Sequence, residues 1–196
     1  MEFVFASSNT GKIREVKDLV RNQFQIKSQG EWGIAPPEET ASTFLENALI
    51  KARNASASTG LPAMADDSGL CVDALNGLPG VNSANYAGPG ESDEINMSKL
   101  LGEMQETKNR KAFFICTLIA IRSPIDPAPI VVEGRWYGDI AREPKGDQGF
   151  GYDPIFFLRE LGCTAAELDR KEKNKLSHRA KAFEALIREI NGKYSS

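Results

Sequence analysis

The chain has 196 residues, 41% apolar and 26% charged, the balance of a soluble globular protein with one substantial core. A formal net charge of −3 excludes a generally basic nucleic-acid binder, and the longest apolar stretch, "AFFICTLIAI", is too short to cross a bilayer. Three scattered cysteines and a single histidine, His178, exclude a disulfide frame and a His-rich transition-metal site, so any metal should be a hard cation such as magnesium, held by carboxylates and phosphate.

In chain order, residues 2–6 predict a strand and 12–22 a helix with Ile13, Val16, Leu19 and Val20 on one face. Between them lies "SSNTGK". Ser7, Ser8, Asn9, Thr10 and Gly11 supply small polar groups and backbone N–H donors at a helix start, and Lys12 adds a charge, which is how an anion-binding turn is built. The Walker form is excluded, because a second glycine is missing and Ile13 follows the lysine.

After "APPEET", with Glu38 and Glu39 beside a helix start, a second helix is expected at about 43–58. Thr43 and Glu46 have capping-box spacing, and Asn47 and Lys51 lie four apart on its polar face. "PAMADDSGLCVDAL" reads as two short strands around a turn at Asp66–Gly69. Adjacent Asp66 and Asp67 suit either that turn or a strand end, where one carboxylate faces the sheet and its neighbour ligates magnesium or activates water. Glu38 and Glu39 are likewise either solvated charges favouring the helix dipole or metal ligands.

A loop, a helix at 92–105, strands at 111–122 and 130–137, a short helix near 164–170 and a last helix at 178–191 complete the pattern. In "GFGYDP", glycines flank Phe150 and Tyr152, so that backbone can approach a ligand while an aromatic ring stacks on it. "KNKLSHRAKAF" gathers Lys173, Lys175, His178, Arg179 and Lys181 about a helix start, with Ser177 placed as its N-cap. Strands and helices mix without strict alternation, which predicts an α/β fold with a mixed sheet and flanking helices.

"ASSNTGKIRE", "EETASTFLENALIKA", "ADDSGL", "LPGVNSANYAG", "GFGYDPIF" and "LSHRAKA" occur in this order along nearly the whole chain. Together they strongly resemble the bacterial inosine/xanthosine triphosphate pyrophosphatase family. The resemblance implies a single domain over 1–196 with two lobes around a central substrate cleft, a cytoplasmic homodimer, and magnesium-dependent hydrolysis of dITP, ITP and XTP to monophosphate and pyrophosphate. It assigns Asp67 as the base and a metal ligand, with Asp66 in support and one of Glu38 and Glu39, Glu38 being favoured, as the second metal carboxylate. Asn9 and Lys12 of "SSNTGK", with Lys51, would hold the triphosphate, and Ser68 would touch substrate. Phe150, Gly151, Tyr152 and Asp153 would hold the purine, with Lys173, His178 and Arg179 completing the pocket. The family usually has arginine where this chain has Asn85. Two other readings use the same parts: a Maf-like pyrophosphatase for pyrimidine or modified nucleotides, and a nucleotide-binding module without turnover.

Overall fold

A computed structural model describes residues 2–20 and 23–194. Among these residues seven strands form one mixed sheet in the order β2-β1-β3-β4-β5-β6-β7, and five α-helices accompany it. The strands are β1 (Glu2–Phe5), β2 (Gln25–Ser28), β3 (Ala63–Val72), β4 (Lys111–Ile121), β5 (Ile130–Ile140), β6 (Phe156–Leu158) and β7 (Cys163–Thr164). The helices are α1 (Thr10–Val20), α2 (Phe44–Thr59), α3 (Asp93–Glu103), α4 (Arg170–Leu176) and α5 (His178–Tyr194). β1 runs parallel to β2 and β3, whereas β6 is antiparallel to β5 and β7.

The chain divides into two compact units. The first comprises 1–67, 116–134 and 179–196; the second comprises 68–115 and 135–178. The divisions fall inside β3, β4 and β5 and just inside the start of α5, so Asp67 and Ser68 belong to different units, as do His178 and Arg179.

In the first unit the pleat sorts the core. Phe3, Phe5, Met64, Cys116 and Leu118 join Val16 and Val20 of α1 and Phe183 and Leu186 of α5. The alternate residues Val4, Ala63, Ala65, Ile119 and Ile121 join Ala48, Ala52 and Ala55 of α2. Successive strand side chains point to opposite faces, so α1 and α5 cover one face and α2 the other. In the second unit Leu70, Met97, Leu100, Phe114, Trp136, Tyr152 and Phe156 form a separate apolar core.

Several expectations are corrected. No turn interrupts Asp66–Gly69: β3 is one ten-residue strand whose buried carboxylates meet the half-buried Lys12 and the buried Lys51 and Arg179, so the local turn preference of Asp, Ser and Gly is overridden. The expected helix near 164–170 is instead strand β7, a short 3-10 turn at Ala165–Glu167 and then α4, capped by Asp169. Ser177 closes α4 and, immediately before His178 with extended backbone, also occupies the expected N-cap position of α5, while Lys173 and Lys175 sit in the last turn of α4, where cations suit the dipole. α1 begins at Thr10 with Asn9 capping it, because the Asn9 side chain accepts from the Lys12 N–H at 3.0 Å. The expected continuation of that helix to 21–22 lies outside the described residues. α2 begins and ends as its caps dictate. The Thr43 hydroxyl accepts from Glu46 N–H, and Gly60 closes the helix at φ 71°.

Candidate active site

The parity that sorts the core also separates the two aspartates. Asp66 shares the face of Met64, and Asp67 shares the face of Ala63 and Ala65. On the α1 and α5 side, the fully buried Asp66 meets Lys12 Nζ at 3.1 Å and Arg179 Nε at 3.3 Å, with Cys116 Sγ 3.8 Å from its Oδ2. Arg179 is only 2% exposed and donates from Nη1 to Glu15 at 2.5 Å. Burial disfavours the Arg179 charge, but the Asp66 and Glu15 carboxylates outweigh that and hold its pKa above the ordinary value.

On the α2 side, Asp67 Oδ1 lies 2.8 Å from Lys51 Nζ, and Asn47 Nδ2 donates to Asp67 Oδ2 at 3.4 Å. Lys51 also donates to Glu39 Oε2 at 2.8 Å. Asn47 accepts from Ala41 N–H at 3.0 Å, tying the loop before α2 to the same cluster. Asn47 and Lys51 are buried, at 2% and 6% exposure, and do not form the solvated face that their spacing suggested. Burial raises the Asp67 carboxyl to about 6, even against the opposing Lys51 charge. Burial alone would lower Lys51, but Asp67 and Asp66 overcome it and raise its pKa.

The expected phosphate loop lies beside this cluster in the chain. Ser7 is buried while Ser8, Asn9, Thr10 and Gly11 are exposed. Gln29, 1% exposed, donates to Ser8 Oγ at 3.1 Å and so anchors the loop from below. Sequence reasoning missed Gln29 and Glu15. Glu15 ends the quoted "ASSNTGKIRE" and sits three residues from Lys12 on one helix, which was the available signal.

Of the paired acids, Glu39 enters the cluster, whereas Glu38 is exposed and makes none of these contacts. A lysine ammonium bridging Asp67 and Glu39 shows that these two carboxylates can share one cation. The donor set therefore fits one side of a hard metal ion, with phosphate oxygens to complete it. Among the described residues no three His, Cys, Asp or Glu side chains form a complete metal set.

In the second unit, Phe150 is 42% exposed and its ring lies 4.9 Å from Lys173 Nζ. Asp153 accepts from Phe150 N–H at 2.9 Å and pairs with Lys173, and Gly151 N–H donates to Asp93 at 2.7 Å. Asp93, the first residue of α3, went unnoticed in the sequence. Tyr152 is buried and donates its hydroxyl to Ser83 O at 2.8 Å. Gly149 has φ 83°, and a side chain there would run into the Asp153 carboxylate. His178 is buried and stacks on Phe114, centroids 4.9 Å apart at 15°. Ser68 follows Asp67 on β3, half-buried. The structure thus brings Phe150, Gly151, Asp153 and Lys173 together, but anchors Arg179 on Asp66 and Glu15 in the first unit. Asn85 is exposed, its side chain near the Gly90 N–H at 3.5 Å.

Lysines thus counter buried carboxylates beside a capped helix start on a mixed α/β sheet. The chain belongs to the Ham1 family, whose sequence model matches residues 3–189. It is 46% identical to a dITP/XTP pyrophosphatase of Idiomarina loihiensis over 95% of this chain and 96% of that protein. It is 51% identical to the dITP/XTP pyrophosphatase of Burkholderia pseudomallei over 94% and 90% of the two chains. The solved structure of a HAM1 protein from Coxiella burnetii superposes with a TM-score of 0.92 at 46% identity, covering 98% of this chain and 99% of that one.

Proposed function

We infer that the chain is a nucleoside triphosphate pyrophosphatase that hydrolyses deaminated purine nucleotides, dITP, ITP and XTP, to the monophosphate and pyrophosphate. The observation that carries this reading is the division of Asp66 and Asp67 between two cation-lined faces of one strand. The names of the relatives give the substrate class. They leave the Maf-like and non-catalytic readings without support.

In this reading Asp67 is the general base. Its carboxyl, raised to about 6, is ionised at neutral pH yet close enough in pKa to take a proton from water. Water adds across the α–β anhydride, the bond between the bridging oxygen and phosphorus breaks, and pyrophosphate leaves. Lys12 and Lys51, with the backbone of Ser8–Gly11 and the Asn9 side chain, hold the phosphates. Asp66 does not accept that proton; paired with Lys12 and Arg179, it fixes the lysine's direction. Asp67 and Glu39, in preference to Glu38, would hold magnesium, which when bound would neutralise charge developing on the leaving group. Phe150 stacks on the purine, and donors around Phe150–Asp153, Lys173 and His178 select the 6-oxo group. Arg179 is reassigned from base selection to the carboxylate network. The homodimer and the cytoplasmic setting belong to the same proposal; among the described residues no helix is long and apolar enough to cross a membrane.

The test is to incubate pure protein with magnesium and a nucleotide panel, measuring pyrophosphate and orthophosphate separately. Pyrophosphate from ITP, dITP and XTP, with little from ATP or GTP, is expected. Comparable kcat/KM for ATP and ITP overturns the substrate assignment.

A further inference from the structure

Within the second unit lies a pocket of about 720 Å³, in the size range of small-molecule sites, lined chiefly by charged side chains. Its carboxylates are already engaged. Asp139 pairs with Arg159 through both oxygens, Glu167 accepts from the Thr164 N–H at 2.6 Å, and Glu143 lies 3.6 Å from Lys145. Among the described residues, two cations on its wall lack any such partner. Arg110 donates only to the backbone carbonyls of Met104 (2.8 Å), Ile140 (2.8 Å) and Ala141 (2.7 Å). Three neutral acceptors fix the plane of the guanidinium without compensating its charge, and further N–H donors remain on the fork. Arg142, exposed, makes no hydrogen bond or ion pair among the described residues. Burial lowers the Arg110 pKa, and the nearby Arg142 charge lowers it further. Two guanidinium groups lining one pocket, one of them pre-oriented by three carbonyls, form an arrangement that suits an oxyanion, because planar forks match phosphate oxygens.

We propose that this pocket binds a phosphate-bearing anion, gripped by Arg110 and Arg142. The site lies wholly in the second unit and uses none of the residues assigned to hydrolysis, so it stands apart from the proposed activity. The phosphoryl group could come from inorganic pyrophosphate or from a nucleoside monophosphate, and the test separates them. Uniformly ¹⁵N-labelled protein without magnesium is titrated with sodium pyrophosphate, and in a second arm with AMP, following the backbone amides of Arg142, Gly162 and Thr164. Saturable shifts at these amides are expected, with affinity falling at least about tenfold in Arg142→Ala, the loss typical of one charge-assisted hydrogen bond. Because Arg142 is exposed and bonds to nothing, that variant should fold normally. Equal responses to both probes assign recognition to the phosphoryl group alone; tighter AMP binding at the same amides assigns the nucleotide. Three results overturn the proposal: no shift at these amides with either probe, unchanged affinity in Arg142→Ala, or shifts reproduced by sodium chloride at matched ionic strength.

Discussion

The carboxylate cluster of the first unit and the aromatic loop of the second handle their tasks by opposite means. Around Asp66 and Asp67 the charges are buried, carried on strand and helix, and matched nearly one for one. Around Phe150 the ring is exposed, the backbone turns through glycines at positive φ, and main-chain N–H groups are steered by Asp153 and Asp93. Holding phosphate charge demands a low dielectric and fixed cations, whereas presenting a ring and backbone donors demands only a well-tied turn. Damage should therefore appear as lost stability or lost turnover in the first region and as lost binding in the second.

The strongest way to break this contrast is Arg179→Ala. Removing a cation that is 2% exposed leaves Glu15 and Asp66 buried without it, which should cost about 3–5 kcal/mol. Urea denaturation measures it; a change below about 1 kcal/mol, the level of a surface pair, would mean that the network is effectively solvated.

Next comes Asp67→Asn. The carboxamide is near-isosteric but cannot take a proton from water, so kcat should fall at least about a hundredfold with the circular dichroism spectrum unchanged. Near-normal turnover would remove Asp67 from the mechanism.

Phe150→Ala should act on binding alone. Base–aromatic stacking is worth about 1–3 kcal/mol, so KM should rise on the order of tenfold for every purine substrate while the melting temperature stays put. Substrate-dependent losses in steady-state kinetics would give the ring a selective role that stacking does not supply.

The last effect is a linkage. The Asp67 pKa in the folded protein, about 6, lies above its unfolded value near 3.8, so the native state binds the proton more tightly. The stability this confers is fully present below about pH 4 and is lost as pH rises through about 6. In metal-free protein, the stability of the natural chain relative to Asp67→Asn should accordingly grow as pH falls from 7 to 4. Paired urea titrations across that window test the sign, and a difference that shrinks on acidification contradicts it.

Helix and core were largely legible, because an apolar stripe such as Ile13, Val16 and Val20 is a local signal, and so is a Thr43–Glu46 cap. β2, β6 and β7 were not foreseen: with four, three and two residues, they exist through pairing with distant partners. The site was legible as residue types but not as partnerships. Lys12, Lys51 and Asp67 could be picked out singly, but only the parity of β3 tells which helix supplies the cation for each aspartate. The partners of Arg179 were hidden as well, because its sequence neighbour His178 belongs to the aromatic region, while the first turn of α5 carries Arg179 to Asp66. Burial of Lys51 was equally hidden, since a lysine four residues from an asparagine looks the same whether its helix face is wet or pressed against a strand.

The all-alanine seam between α2 and β3 has a thermal consequence. Ala48, Ala52 and Ala55 on the helix and Ala63 and Ala65 on the strand are wholly buried, and alanine has no rotamers to freeze. The spacing between helix and strand is therefore set largely by methyl groups, which have no rotamer wells to hop between as temperature changes. The disorder surrendered in bringing these two elements together is concentrated in Asn47 and Lys51, the flexible side chains that this seam delivers to Asp67.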